Sequence, residues 1–123
     1  MITGTVNERC EAVINIEVHG TRSQRLVMDA VIDTGFDGFL VLPSSSIAAL
    51  GLRRLGSKTA ELGDGSICRL AVYSARVRWD GAIRRGEVNA ADIAPLVGME
   101  LLAGYEVRIQ VAEGGAVTIE AMT

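Results

Sequence analysis

Apolar residues in this chain come in short runs with strand periodicity, broken by glycine, aspartate and serine. Residues 12–18 alternate from Val13 onward and predict a strand. Gly20-Thr21-Arg22-Ser23 reads as a turn, and residues 25–32 as a second strand leading into Asp33. Residues 39–42 predict a short buried strand. After Pro43 the period changes: Ile47, Leu50 and Leu52 share a helical face, Ser44-Ser45-Ser46 offer the N-cap, and Gly51 suits the C-cap. Residues 57–80 are strand-like around Gly63-Asp64-Gly65, a hairpin signal. Trp79-Asp80-Gly81-Ala82 and Glu113-Gly114-Gly115 predict two further turns, with 105–112 and 116–121 as arms of the last hairpin. Between them, residues 98–103 predict one or two helical turns ended by Gly104. Hairpins at such short spacing indicate an all-β sandwich or barrel with one or two short helices.

The order repeats faintly. An apolar pair, a glycine and a short helix occur as Val31-Ile32, Gly35 and residues 43–50, and again as Leu96-Val97, Gly98 and residues 99–103. The halves share negligible identity.

The 123 residues make one domain, 1–123, with room for a core but not for two lobes. Hydrophobic residues are 49% and charged residues 22%, a globular balance. The net charge of −3, with basic residues only paired at Arg53-Arg54 and Arg84-Arg85, gives no support for a nucleic-acid partner. No run is long enough for a membrane span, and the N-terminus does not read as a signal peptide, so the cytoplasm is the expected compartment. Cys10 and Cys68 form no metal-binding spacing or disulfide framework, and the single histidine, His19, sits before a turn at the expected surface. No metal or other cofactor is expected. Neither a nucleophile elbow nor a phosphate-binding loop is present: Gly63-Asp64-Gly65-Ser66 lacks the lysine and the helix.

The chemistry concentrates in residues 26–43. Ala30-Val31-Ile32 drives an apolar strand into Asp33, where an unpaired carboxylate is costly unless donors reach it. Gly35 permits a tight turn and close approach of backbone N–H groups to that carboxylate, and Thr34 supplies a hydroxyl. Asp-Thr-Gly is also an ordinary way to end a strand in a turn.

Three stretches together resemble the retropepsin-like aspartic proteases of the cellular bacterial and archaeal type. Residues 31–38, Val-Ile-Asp-Thr-Gly-Phe-Asp-Gly, are similar to the family's active loop. Residues 62–66, Leu-Gly-Asp-Gly-Ser, are placed like its flap, and residues 96–102 are similar to its apolar-apolar-Gly segment and following helix. The resemblance spans about residues 12–121. It implies a closed β-barrel, a homodimer, and peptide-bond hydrolysis of a peptide or protein substrate. That chemistry needs two adjacent carboxylates sharing a proton, one acting as base on a water and the other as acid. One Asp-Thr-Gly per chain leaves the second carboxylate to another copy, by two-fold symmetry.

The resemblance also implies roles. Asp33 is the acid/base, Thr34 bonds across the dimer axis, and Gly35 presents its backbone to carboxylate and substrate. Phe36, Asp37, Gly38 and Leu96 would meet substrate, with Gly63, Asp64 and Gly65 tipping a flap. Asp37 reads equally as a turn acid, the flap glycines as a plain hairpin, Leu96 as core, and Gly98 as a packing residue. Two departures stand out. Phe36 replaces the small residue of many members, and Met99-Glu100 stands where viral members carry a basic brace, leaving Arg108 as a candidate partner for Asp37. Residues 2–6 and 117–119 are candidate strands between subunits. A non-catalytic dimeric peptide- or protein-binding module of the same fold is the alternative function.

Overall fold

Alternation along each strand decides which face turns inward. In β2 (Ala12–His19), Ala12, Ile14, Ile16 and Val18 are buried while Asn15 is exposed. The computed structural model describes residues 1–61 and 64–123. Among them are ten strands and two short helices. The remaining elements are β1 (Ile2–Val6), β3 (Arg25–Ile32), β4 (Leu40–Leu42), α1 (Ser44–Leu50), β5 (Arg53–Glu61), β6 (Ile67–Trp79), β7 (Ala82–Ala90), β8 (Leu96–Val97), α2 (Met99–Leu102), β9 (Tyr105–Ile109) and β10 (Ala116–Ala121). All strands join one sheet in the order β5-β6-β7-β4-β8-β3-β2-β1-β10-β9, and a β2–β6 pairing closes six of them into a ring. The enclosed core holds Trp79, Ile14, Leu40, Leu42, Val77, Val88 and Leu101, all essentially inaccessible to solvent.

The faint repeat appears here as reciprocal pairing. β3 runs parallel to β8, β7 runs parallel to β4, and β4 meets β8 antiparallel between them. Each half thus lends its short strand to the other half. Side chains follow the same logic of close approach. The Phe39 ring lies on Gly86, where a Cβ would stand 2.4 Å from the ring, so only glycine fits.

Turns largely form where expected. Asp80 (φ 52°) and Gly81 (φ 83°) both adopt left-handed conformations between the paired Trp79 and Ala82, as a two-residue hairpin requires. Gly51 is the left-handed C-cap of α1, its N–H donating to the Ala48 carbonyl. The serine N-cap does not form. Pro43 occupies the cap position, and the Ser44 N–H donates instead to Asp92 Oδ1 at 3.3 Å. The strand expected over 105–112 ends at Ile109. The candidate intersubunit strands β1 and β10 pair with each other, and their outer edges are taken by β2 and β9, so neither is free to join a second chain. β5 and β9 are the ends of the sheet.

Helix α2 is fixed from two sides. Its first N–H groups reach the loop after β3: Met99 donates to the Phe36 carbonyl (2.8 Å) and Glu100 to that of Gly38 (3.0 Å). Its C-terminal carbonyls accept from Arg84, Nη1 to Leu101 at 2.7 Å and Nη2 to Glu100 at 3.5 Å. Gly98 precedes the helix with no room to spare, since a Cβ there would stand 2.1 Å from the Gly38 carbonyl oxygen and 2.5 Å from the Phe36 ring. Gly98→Ala should therefore lower stability by about 2 kcal/mol or more, read as a shifted urea midpoint, because backbone must move. Arg84→Met should cost about 1.5–3 kcal/mol, the range for hydrogen bonds to a charged group, with the loss read the same way.

Candidate active site

Strand β3 delivers Asp33 to the point where the two halves meet. The Asp33 N–H donates to the Val97 carbonyl (2.9 Å), extending the parallel β3–β8 ladder by one bond past Ile32. The chain then turns. The Phe36 N–H donates to the Asp33 carbonyl (3.1 Å), and the Gly35 N–H donates to Asp33 Oδ1 (2.9 Å). The carboxylate is half-buried, and it accepts this backbone donor from a residue whose missing side chain leaves the approach open. Asp33 is therefore anchored at three points, which fixes where its carboxyl points and leaves its second oxygen available to a ligand.

Phe36 is half-buried and folds its ring over Gly38 and Gly98, where a Cβ at Gly38 would stand 2.5 Å from it. The ring thus packs beneath the loop, and the two glycines are small because of it. Gly38 contributes its carbonyl to α2. Asp37 is exposed, and among the described residues its side chain makes no hydrogen bond. The candidate partner Arg108 is bound elsewhere, its Nε donating to Glu106 Oε1 at 2.6 Å.

Asp33 and Thr34 open onto a recess of about 380 Å³ whose walls include Val31, Ile32, Leu96, Ile109 and Val111, with Cys10 and Glu11 at its edge. Leu96 is half-buried there, paired to Val31 and Val41, so it serves core and recess at once. Thr34 also borders a second recess of about 310 Å³, shared with Met99, Leu102, Tyr105 and Val107. Thr34 itself is exposed, and its hydroxyl has no partner among the described residues. Around it Met99, Ile109 and Val111 are 47%, 37% and 69% exposed, an apolar rim on both sides of the loop.

The hairpin of β5 and β6 ends at the predicted flap tip. Gly63 lies outside the described residues. Asp64 accepts from the Ser66 hydroxyl (2.5 Å) and N–H (2.9 Å), which holds its carboxyl below the usual aspartate range. Gly65 has φ 84°, the left-handed region that favours glycine in a turn. Neither residue walls the Asp33 recess.

Two contributors escape a motif-based reading. Arg84 is one, although the pattern carries a signal: it shares the inward face of β7 with Gly86 and Val88, a place for an arginine only if carbonyls await it. Cys10 and Glu11 are the other, brought beside Asp33 by the turn between β1 and β2. Among the described residues no three His, Cys, Asp or Glu side chains gather as a metal site, and no helix is long and apolar enough to cross a membrane.

No protein-family model and no curated protein matches the chain. Solved structures do. A retropepsin-like aspartic protease from Rickettsia conorii superposes with a TM-score of 0.62 at 17% identity, over 99% of this chain and 91% of that one. The EIAV protease complexed with the inhibitor HBY-793 superposes with a TM-score of 0.61, also at 17% identity, over 75% of this chain and 85% of that one. The ring of shared strands, with Asp-Thr-Gly at the end of β3, is therefore the retropepsin-like fold.

Proposed function

We propose that the chain is an aspartic endopeptidase whose active site forms on a two-fold axis between two copies, each contributing Asp33. The observation that carries this reading is the placement of a single Asp-Thr-Gly, held by backbone donors, at an exposed loop with apolar residues on both sides. A lone carboxylate has no second group with which to share a proton, and hydrolysis by this route requires the pair. The exposed Met99, Ile109 and Val111 favour burial against a second chain, and Thr34's exposed hydroxyl suits a bond across the axis. The retropepsin-like fold adds to the case, since two solved structures that share it are proteases and one of them is complexed with an inhibitor.

In this mechanism one Asp33 carboxylate takes a proton from a water as it attacks the scissile carbonyl. The other, protonated, donates to the carbonyl oxygen, giving a tetrahedral diol. The first then passes its proton to the amine nitrogen as the C–N bond breaks, and the second takes a proton back from a diol hydroxyl, which restores the starting pair. Gly35 orients the carboxyl through its N–H. Asp37 and Leu96 contact the extended substrate, while Asp64 and Gly65 tip a hairpin that closes over it and excludes water. Phe36 acts from below, holding the loop against Gly98.

Asp33→Asn should remove cleavage of a peptide library by a factor of about 10³ or more while leaving the circular dichroism spectrum and the sedimentation behaviour unchanged. Retained cleavage would rule out this residue as the acid/base. Specific activity should also fall on dilution through the dissociation range, because a lone subunit holds only one of the two carboxyl groups. A rate per subunit independent of concentration across the dissociation range would contradict the shared site.

A further inference from the structure

The outward face of the sheet carries a basic row that the proposed hydrolysis does not use. Arg85 of β7 stands directly opposite Arg76 of β6, Arg76 opposite His19 of β2, and His19 opposite Arg25 of β3. Directly opposed residues in antiparallel strands share a face, and like charges so placed weaken a sheet. His19 has Glu17 as its partner, Nε2 to Oε2 at 2.8 Å. Among the described residues no carboxylate forms an ion pair with Arg25, Arg53, Arg76 or Arg85. Glu87, the next outward residue of β7, lies opposite Ser74 and leaves them unpaired. The chain's net charge is −3, so this concentration of positive charge is local.

Part of the row walls a recess of about 270 Å³ at the root of the β5–β6 hairpin. Arg53 enters it from the start of β5, opposite Ser74, and meets Arg76 and Arg85 there. Arg76 is held in place by one donor, Nη2 to the Gly20 carbonyl at 2.7 Å, with the rest of its guanidinium uncommitted. The exposed Arg53 and Arg85 are free to turn inward, and the Ser74 hydroxyl adds a neutral donor. Thr21's hydroxyl is engaged with the Gly51 carbonyl.

We propose that this recess binds a phosphate group. Three guanidinium groups around one small concavity exceed the charge of a single carboxylate and match the several oxygens of a phosphate dianion, which arginine forks engage in pairs. One small recess on an acidic chain is not the extended basic stripe of a nucleic-acid surface. Binding at this place also offsets the like-charge opposition of Arg76 and Arg85. The proposal rests on the sheet register and the recess alone, independent of the hydrolytic reading.

The test is calorimetric titration of the full chain with inorganic phosphate, pyrophosphate and a phosphoserine pentapeptide, at ionic strength held constant with sodium chloride. Saturable binding is expected, weakened about tenfold in Arg53→Ala or Arg85→Ala and lost in the double variant. Preference for pyrophosphate assigns the site to free phosphate compounds, and preference for the pentapeptide to a phosphorylated chain. Thermal unfolding of each variant in chloride alone is expected at the parent's midpoint or above it, which shows that the fold survives, and a raised midpoint in Arg85→Ala shows that its opposition to Arg76 is relieved. Heat that does not saturate, or binding retained in the double variant, overturns the proposal.

Discussion

The whole arrangement depends on one carboxylate placed where a carboxylate is expensive. Strand β3 is buried through Ala30 and Ile32, and the next residue is Asp33. The cost is met by the backbone. The Val97 carbonyl takes the Asp33 N–H, and the Gly35 N–H reaches the carboxyl oxygen. Glycines flank both contacts. Gly35 must present an unobstructed N–H, and Gly98 must let β8 turn into α2 within 2.1 Å of the Gly38 oxygen at its missing Cβ.

From that constraint the supporting elements follow in order. The parallel pairings β3–β8 and β7–β4 bring two distant parts of the chain to a common point, so each half supports the other's loop. Helix α2 donates to the loop at one end and receives Arg84 at the other. The Phe36 ring fills the space between loop and helix. The site is thus rigid on the core side and open on the other, where Met99, Ile109 and Val111 remain exposed. Rigidity below and an apolar rim above are what a site completed by a second copy requires.

Much of this was legible in the sequence, because it depends on local chemistry. The Asp80-Gly81 turn, the Gly51 cap, the 44–50 helix and the Asp33 loop each follow from a few adjacent residues. What the pattern could not resolve depends on distant partners. Ser44 has a hydroxyl suited to capping, yet Asp92 receives its N–H from across the fold. Arg108 is free to choose between Asp37 and Glu106, and the two-residue spacing to Glu106 on one strand face decides it. Strands β1 and β10 read as candidates for pairing between chains, but their registers match each other first. The basic row on the outer face is only partly legible in sequence order: Arg76 and Arg85 face each other across the Asp80-Gly81 hairpin, but His19 and Arg25 join them only through the β2–β6 closure.

The central claim is that catalysis belongs to a pair of Asp33 residues from two copies. Mixing wild-type chain with Asp33→Asn chain at fixed total concentration, with subunit exchange allowed to equilibrate, tests it most directly. The account predicts cleavage falling as the square of the wild-type fraction, to about one quarter in an equal mixture, because only pure wild-type pairs hold two ionisable groups. Activity that falls in simple proportion, to about one half, would mean that each chain works alone and would contradict it.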